Sequence, residues 1–327
     1  MILQDVHELV PHDIVNRRPT RYRGKSVFTL ERDFSLDEQL IIQRQYAQLD
    51  DVWKYTHPDA PDKRAQFEQL EHFLKNNELL SLEDQLLYIV AETEDKARKR
   101  LVIQLVRGAF EGVCAYVVFV RAGTLEPEYV QQLHYLAGDH MKVMRMLLPD
   151  LDTDKRIRDE ETHLHSMKLL EEKWRSKTYL TFNDSVRISF TTHFDGSVAE
   201  RGAEFAEIDR IFYHLVNYFA NYTADQEIHI SVAQSKDEKN LIWVFSKQVM
   251  PDRQKYVAGL LEKGESIFVQ DEDGEPDRDD LPIVADAVSH AYGYEDTREA
   301  EKKGCFGARL KDDVLSLWFH WPAVASK

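Results

Sequence analysis

IDRIFYHLVNYFANYT, residues 208–223, is the stretch that decides the fold. Its apolar residues recur at spacings of three and four, which predicts an amphipathic helix with one face against a core. These residues are Ile208, Ile211, Phe212, Leu215 and Val216. Strand-like segments lie on both sides, with SVRISFTTHF (185–194) before the helix and EIHISVAQ (227–234) after it. This alternation of strand and helix predicts an α/β sandwich that begins near residue 179.

The sandwich continues toward the C-terminus. NLIWVFSKQV (240–249) and DVLSLWFHW (313–321) have the β-branched and aromatic content of strands, and we expect the last two or three strands to be antiparallel. LPIVADAVSHAYGY (281–294) predicts a helix that ends near Gly293.

The N-terminal part has a different character. Residues 34–107 are dense in strong helix formers and contain few Gly or Pro, which predicts several packed helices. The run VCAYVVFV (113–120) fits both a buried strand and the end of a helix. Nothing in this part identifies a ligand.

A helical hairpin is predicted between these two parts. Its first helix covers residues 127–148, with Thr124 as the N-cap, and its second covers residues 154–177. A short polar turn after Pro149 joins them, so they should be antiparallel. A hairpin of this length has an apolar stripe that one chain can leave uncovered, and a homodimer with a four-helix bundle would bury it.

The predicted fold class is therefore α+β, with three parts. Residues 1–122 form a helix-rich regulatory or sensor module, residues 123–178 form the hairpin for dimerisation or phosphotransfer, and residues 179–327 form the two-layer α/β sandwich.

Composition excludes several classes of function. The 327 residues include 42 Lys and Arg against 58 Asp and Glu, a net charge of −16, which opposes binding to nucleic acid. No run approaches the roughly 18 to 20 apolar residues of a membrane span, and we expect a cytoplasmic protein. Two cysteines, Cys114 and Cys305, form neither a disulfide framework nor a zinc motif.

The order of these elements resembles that of bacterial sensor histidine kinases, over residues 125–322. In that family the long helix of the ATP-binding domain follows LxxVLxNLLxNAxKxT, and residues 208–223 align with it without a gap. The helix 281–294 is similar to the family's GLAIVKHIVEAHGG, and CFGARLKDDVLSLWFHWP is similar to its closing hairpin. The resemblance implies a sandwich of the histidine kinase ATPase type.

The residues that bind nucleotide in the family differ here. The two family asparagines, one of which coordinates Mg²⁺, align with His214 and Tyr218, and the family lysine aligns with Asn221. Ser246 stands at the adenine-binding aspartate, and Gln248 stands at the following glycine. The segment corresponding to the ATP lid, QDEDGEPDRDD (270–280), is acidic, with Arg278 alone as a base. We therefore expect neither ATP nor Mg²⁺ as a cofactor, and no metal site.

Histidines on the hairpin are the phospho-acceptor candidates. His140 lies on the apolar stripe with Leu136 and Val143, which is typical of a packed residue, and Met141 replaces the acid that follows the family histidine. His134 lies beside the stripe and is the weaker candidate. His163 and His165 lie on different faces of the predicted second helix, which argues against a metal site.

These observations predict a histidine kinase-like pseudokinase in two-component signalling. Such a protein would bind a response regulator or another signalling kinase through protein–protein interaction, without catalysis or with phosphotransfer through His140. The alternative is an active, divergent kinase that binds ATP and Mg²⁺ through Asn217, Asn221 and Arg278 and phosphorylates His140.

Overall fold

A computed structural model describes residues 28–122, 129–180, 185–221, 227–268 and 280–324. Thr124 and Arg278 therefore lie outside the described residues, as does the acidic tract up to residue 279. Within these ranges no single helix has the length and apolar character of a membrane span. The helices Lys96–Val106 and Ala109–Arg121, bent by 41°, reach that standard only as a pair.

The N-terminal part is helical, as predicted. Its helices are α1 (Leu30–Asp33), α2 (Leu36–Tyr55), α3 (Lys63–Asn76), α4 (Leu79–Glu92), α5 (Lys96–Val106) and α6 (Ala109–Arg121). The ambiguous run 113–120 belongs to α6, which begins after Gly108 in a left-handed conformation, φ 73°. Ser35 and Glu38 form a capping box at the start of α2, which fixes where that helix begins.

The predicted hairpin is only half confirmed. Its first helix is α7 (Tyr129–Leu147), but the prediction of a continuous second helix is wrong. It divides into α8 (Thr153–Asp159), a strand β1 (Thr162–Ser166) and α9 (Met167–Trp174). THLHS has no helical apolar spacing, and it pairs antiparallel with β4 (Ser197–Arg201), a partner that is distant in sequence.

The apolar stripe of α7 is covered by the same chain. Leu133, Leu136 and Val143 are buried, and α7 packs against α2, α6 and the long helix of the sandwich, α10 (Gly202–Asn221). The uncovered stripe that motivated a four-helix bundle is therefore absent from this helix. The homodimer itself stays a prediction.

The C-terminal part is a mixed sheet with helices packed against it. Its strands are β2 (Thr178–Leu180), β3 (Ser185–Thr192), β5 (Glu227–Gln234), β6 (Asn240–Gln248), β7 (Phe306–Lys311) and β8 (Val314–Pro322). They are arranged in the order β2-β3-β5-β6-β8-β7. Only β3 and β5 are parallel, because α10 connects them across the sheet. The remaining helices are α11 (Pro251–Glu262), α12 (Asp280–Ala291) and α13 (Thr297–Lys302).

The apolar face of α10 packs on this sheet, as its spacing predicts. The ring of Phe212 lies 5.1 Å from that of Trp243 and 4.9 Å from that of Phe245, both edge to face. Buried side chains continue from Leu30 in the helical part to Trp321 in the sheet as one core. The fold is α+β, with a helix-rich N-terminal part. The domain boundary near residue 178 stays a prediction.

A buried lysine joins the two parts. Lys173 at the end of α9 makes ion pairs with Asp139 of α7 and, at 2.6 Å, with Asp209 of α10. Tyr213 donates to Asp139 at 2.8 Å, and the indole N–H of Trp174 donates to Asp209 at 3.3 Å. Each buried charge therefore has a partner, which is the condition for tolerating it in a dry interior.

Lys173→Met should unfold the protein at lower urea concentration. The substitution keeps the apolar stem but leaves two buried carboxylates without their cation, which costs about 3–5 kcal/mol. Lys168→Met, on the same helix but 79% exposed, is the control and should change stability by less than about 0.5 kcal/mol. Equal losses in the two variants would contradict the role assigned to this ion pair.

Candidate functional site

The polar face of α10 is the candidate site, because a kinase of the resembling family offers its metal and nucleotide ligands there. His214 is buried, and its Nδ1 lies 2.7 Å from Oδ1 of Asp280 at the start of α12. The other ring nitrogen faces Gly108. A Cβ atom at Gly108 would lie 3.4 Å from Nε2 of His214, an ordinary contact distance, so it is the positive φ of 73° that favours glycine here.

Asn217, a predicted nucleotide ligand, is engaged by the helical part. Its Nδ2 donates to Oε2 of Glu111 at 3.2 Å and approaches the carbonyl of Gly108 at 3.5 Å. Arg107 lies 3.5 Å from the other carboxylate oxygen of Glu111. The junction of α5 and α6 therefore lies against the face of α10 that carries His214 and Asn217.

Three other positions aligned with family ligands, Tyr218, Ser246 and Gln248, also have internal partners. The Tyr218 hydroxyl accepts a hydrogen bond from Arg253 at 2.7 Å, and the guanidinium lies over its ring. Ser246 and Ser316 are joined at 2.8 Å between their hydroxyl oxygens, and Gln248 donates to Asp313. The side chain of Asn221 lies outside the described residues, as does Arg278.

Two carboxyl groups beneath this face are perturbed. Burial, with the nearby negative charge of Asp280, raises the pKa of Glu111 to about 7, although Arg107 opposes the shift. Burial likewise raises the pKa of Glu83 in α4 to about 7, where Cys114 hydrogen-bonds to it. Perturbed carboxyl groups occur at catalytic sites and in buried structural networks alike.

The cavity on this face is small. The cavity lined by Gly108, His140, Arg210, Tyr213 and His214 has a volume of about 10 Å³. That volume holds about one water molecule, whereas small-molecule pockets measure about 300–1,000 Å³. Larger hollows, of about 320 Å³ beside β7 and about 550 Å³ between α2 and α3, lie away from α10. The cavity that the described residues form beside His214 is thus much smaller than a nucleotide.

His140 is packed, as its place on the stripe predicts. It is 1% exposed and stacks on Phe110 at 5.4 Å. Its Nε2 lies 3.1 Å from the carbonyl of Leu105, and burial lowers the pKa of the ring to about 3. A phospho-acceptor requires an accessible imidazole, and the structure does not provide one here.

His134 is half-buried rather than exposed. Its ring stacks on that of Trp53 at 5.3 Å, and Nδ1 lies 3.2 Å from the Thr56 hydroxyl oxygen. Burial lowers its pKa. Among the residues that the structure describes, no carboxylate contacts the ring to accept its proton during attack on a phosphoryl group.

The prediction that His163 and His165 lie on different helix faces is wrong, because they lie on β1. Alternate residues of a strand share a face, and the two rings are 5.4 Å apart. His165 stacks on Phe205 at 4.8 Å, and burial lowers its pKa to about 4. No group of three or more His, Cys, Asp or Glu among the described residues could hold a metal ion.

Sequence patterns did not identify Arg107, Gly108 and Glu111 as members of this site. They lie about 100 residues before α10, in a region that the pattern describes only as helical. The one local signal was Gly108 between two apolar helical runs, which marks a boundary without indicating what approaches it.

Comparisons with known proteins return histidine kinases at low similarity. No protein-family model matches the chain, and no curated protein matches it in sequence. Among solved structures, the histidine kinase AdeS of Acinetobacter baumannii is 11% identical, with a TM-score of 0.29, over 64% of this chain and 92% of that one. A histidine kinase of Burkholderia phymatum is 11% identical, with a TM-score of 0.32, over 71% of this chain and 100% of that one.

Full-length ShkA in complex with AMPPNP is 15% identical, with a TM-score of 0.30. The match covers 75% of this chain and 47% of the length of ShkA. At TM-scores near 0.3, these likenesses carry no inference about the activity of this chain.

Glu111→Gln should change how stability depends on pH. The pKa of Glu111 is about 7 in the folded chain, against an ordinary 4.5, so the folded chain holds a proton in this range that the unfolded chain has lost. Stability therefore falls as pH rises through that window. Relative to the glutamine variant, the wild type should lose about 1–3 kcal/mol between about pH 5 and about pH 8.

Urea unfolding of both proteins at several pH values measures this difference. His140 and His165 have lowered pKa values, so their contributions rise with pH, but they are common to both proteins and cancel. Parallel stability curves for wild type and variant would contradict the shift assigned to Glu111.

Proposed function

We propose that this chain is a non-catalytic, histidine kinase-like signalling protein. It regulates a two-component pathway by binding a response regulator or another signalling kinase, and it does not use ATP. The proposal combines the family-like spacing of α10, α12 and the closing β7–β8 hairpin with the loss of the ligands that the same elements carry in active kinases.

The contact between the α5–α6 junction and α10 is the observation that carries this proposal. Asn217, which would bind ATP and Mg²⁺ under the active-kinase alternative, is hydrogen-bonded to Glu111, and His214 is bound to Asp280. Asp280 places a negative charge beside this face, so a triphosphate approaching it would meet repulsion as well as a cavity of only about 10 Å³. The helix keeps its packing role while its polar face serves internal contacts.

A thermal-shift titration tests the loss of nucleotide binding. With millimolar ATP and Mg²⁺, the unfolding midpoint should not move, because the proposed protein does not bind nucleotide. Binding would be detected, since a ligand at 100 times its Kd adds about 2.7 kcal/mol to stability. If the midpoint rises by several degrees and Asn217→Ala abolishes the rise, the active-kinase alternative is correct and this proposal fails.

A phosphate-transfer experiment tests the relay through His140. A response regulator phosphorylated with labelled phosphate is incubated with wild type, His140→Ala and His134→Ala. No label should appear on any of the three chains, because His140 is enclosed and His134 has no acid beside it. Label on the wild type that disappears only in His140→Ala would instead establish phosphotransfer, with an open state of α7.

A further inference from the structure

Two helices of the N-terminal part expose large apolar side chains on the surface. On α2, Leu36 is 81% and Leu40 is 54% exposed, and on α4, Leu87 is 41% and Tyr88 is 67% exposed. We call these four residues the α2–α4 face. Single exposed leucines are ordinary in folded proteins, but a group of them marks a site for contact with another molecule.

Ion pairs show how the two helices are oriented. Arg44 in the middle of α2 pairs with Glu78 at the start of α4. Glu38 in the first turn of α2 pairs with Arg98 at 2.6 Å, just beyond the end of α4. The helices are therefore antiparallel, and the first turns of α2 lie beside the last turns of α4. This arrangement brings Leu36 and Leu40 to the end of the pair that carries Leu87 and Tyr88.

The opposite sides of these helices already serve the core. Ile42 and Leu49 of α2, and Leu82 and Leu86 of α4, are fully buried. Underneath, α2 packs on α7 while α4 packs on α5 and α6, and α6 adjoins α7. The exposed leucines and Tyr88 therefore lie on the sides of the two helices that do not face these core contacts. The core of the described residues does not include Leu36, Leu40, Leu87 or Tyr88.

The surrounding charge is acidic. On the exposed side, α4 carries Asp84 and Glu92 and no Lys or Arg, and the first turn of α2 carries Asp37. Glu83 is turned inward to Cys114, and Glu38 is paired with Arg98. The nearest cations, Arg44 and Arg98, are held by carboxylates. Lys96 and Lys99 begin at the next helix, beyond Asp95. An apolar strip with acidic borders complements a helix that has leucine on one side and lysine or arginine on the other.

We propose that the α2–α4 face binds a cationic amphipathic helix of a partner protein. The groove between two antiparallel helices receives the apolar side of the third helix, and the carboxylates along the border pair with its basic side. A second copy of this chain fits less well, because its own acidic borders would meet those of the first. This inference rests on the proposed function, since it names the surface through which a partner is bound.

Fluorescence anisotropy with a synthetic peptide tests the proposal. The probe is a labelled helix of about 18 residues with Leu at i, i+3, i+4 and i+7 and Lys elsewhere. The comparison peptide has the same composition in scrambled order, so that charge alone is controlled. The amphipathic peptide should bind more tightly than the scrambled one. Added salt should weaken the binding of the amphipathic peptide.

Paired variants locate the binding. Leu40→Ser with Tyr88→Ser should weaken the amphipathic peptide by about tenfold or more, because apolar anchors carry most of such affinity. Ile157→Ser with Leu164→Ser, exposed by 52% and 50% on other elements, is the matched control and should bind like the wild type. Thermal midpoints of both double variants check that they fold.

Three outcomes would overturn the proposal. The first is equal binding of both peptides, and the second is an equal loss of peptide affinity in both double variants. The third is a wild-type dimer, seen in sedimentation, that Leu40→Ser with Tyr88→Ser converts to a monomer. The last would assign the face to a second copy. The nucleotide titration is independent of this surface. If peptide binding fails while ATP still produces no shift, the docking face is wrong and the non-catalytic function stands.

Discussion

One ammonium group between two carboxylates fixes how the helical part meets the sheet. Lys173 comes from α9, Asp139 from α7 and Asp209 from α10, and all three side chains are buried. Hydrophobic packing tolerates small slides of one helix along another, but a buried ion pair does not, because displacement leaves an uncompensated charge. The registration of α7 on α10 therefore follows from this cluster.

The same registration determines which residues lie against the polar face of α10. Once α7 lies where Lys173 requires it, α5 and α6 follow, and their junction comes against His214 and Asn217. His140 is enclosed by the same packing, between Phe110 and the carbonyl of Leu105. The packing that follows from the buried ion pair thus also brings Glu111 against Asn217 on the polar face of α10.

The sequence predicts the elements of the sandwich well and its tertiary partners poorly. Residues 208–221 form the expected helix because their apolar spacing agrees with the sheet beneath them, and His140 is packed because it shares the stripe of Leu136. By contrast, THLHS is polar and too short to show a period, so its strand depends on pairing with residues 197–201. In the sequence, Glu111 is an ordinary helix residue. Its role depends on the nearby Asn217 and Asp280, which are distant in sequence, and no local pattern predicts that they lie close to it.

The break between α8 and α9 has a mechanical meaning. A continuous helix transmits rotation and axial displacement along its length, since each turn is hydrogen-bonded to the next. Here β1 interrupts residues 153–174, and its own hydrogen bonds join it to β4, directly before α10. Rotation of α8 about its axis is therefore not transmitted directly to α9. A disturbance in the helical part reaches the sheet sideways, through the faces of α7 and α10 and through the β1–β4 ribbon.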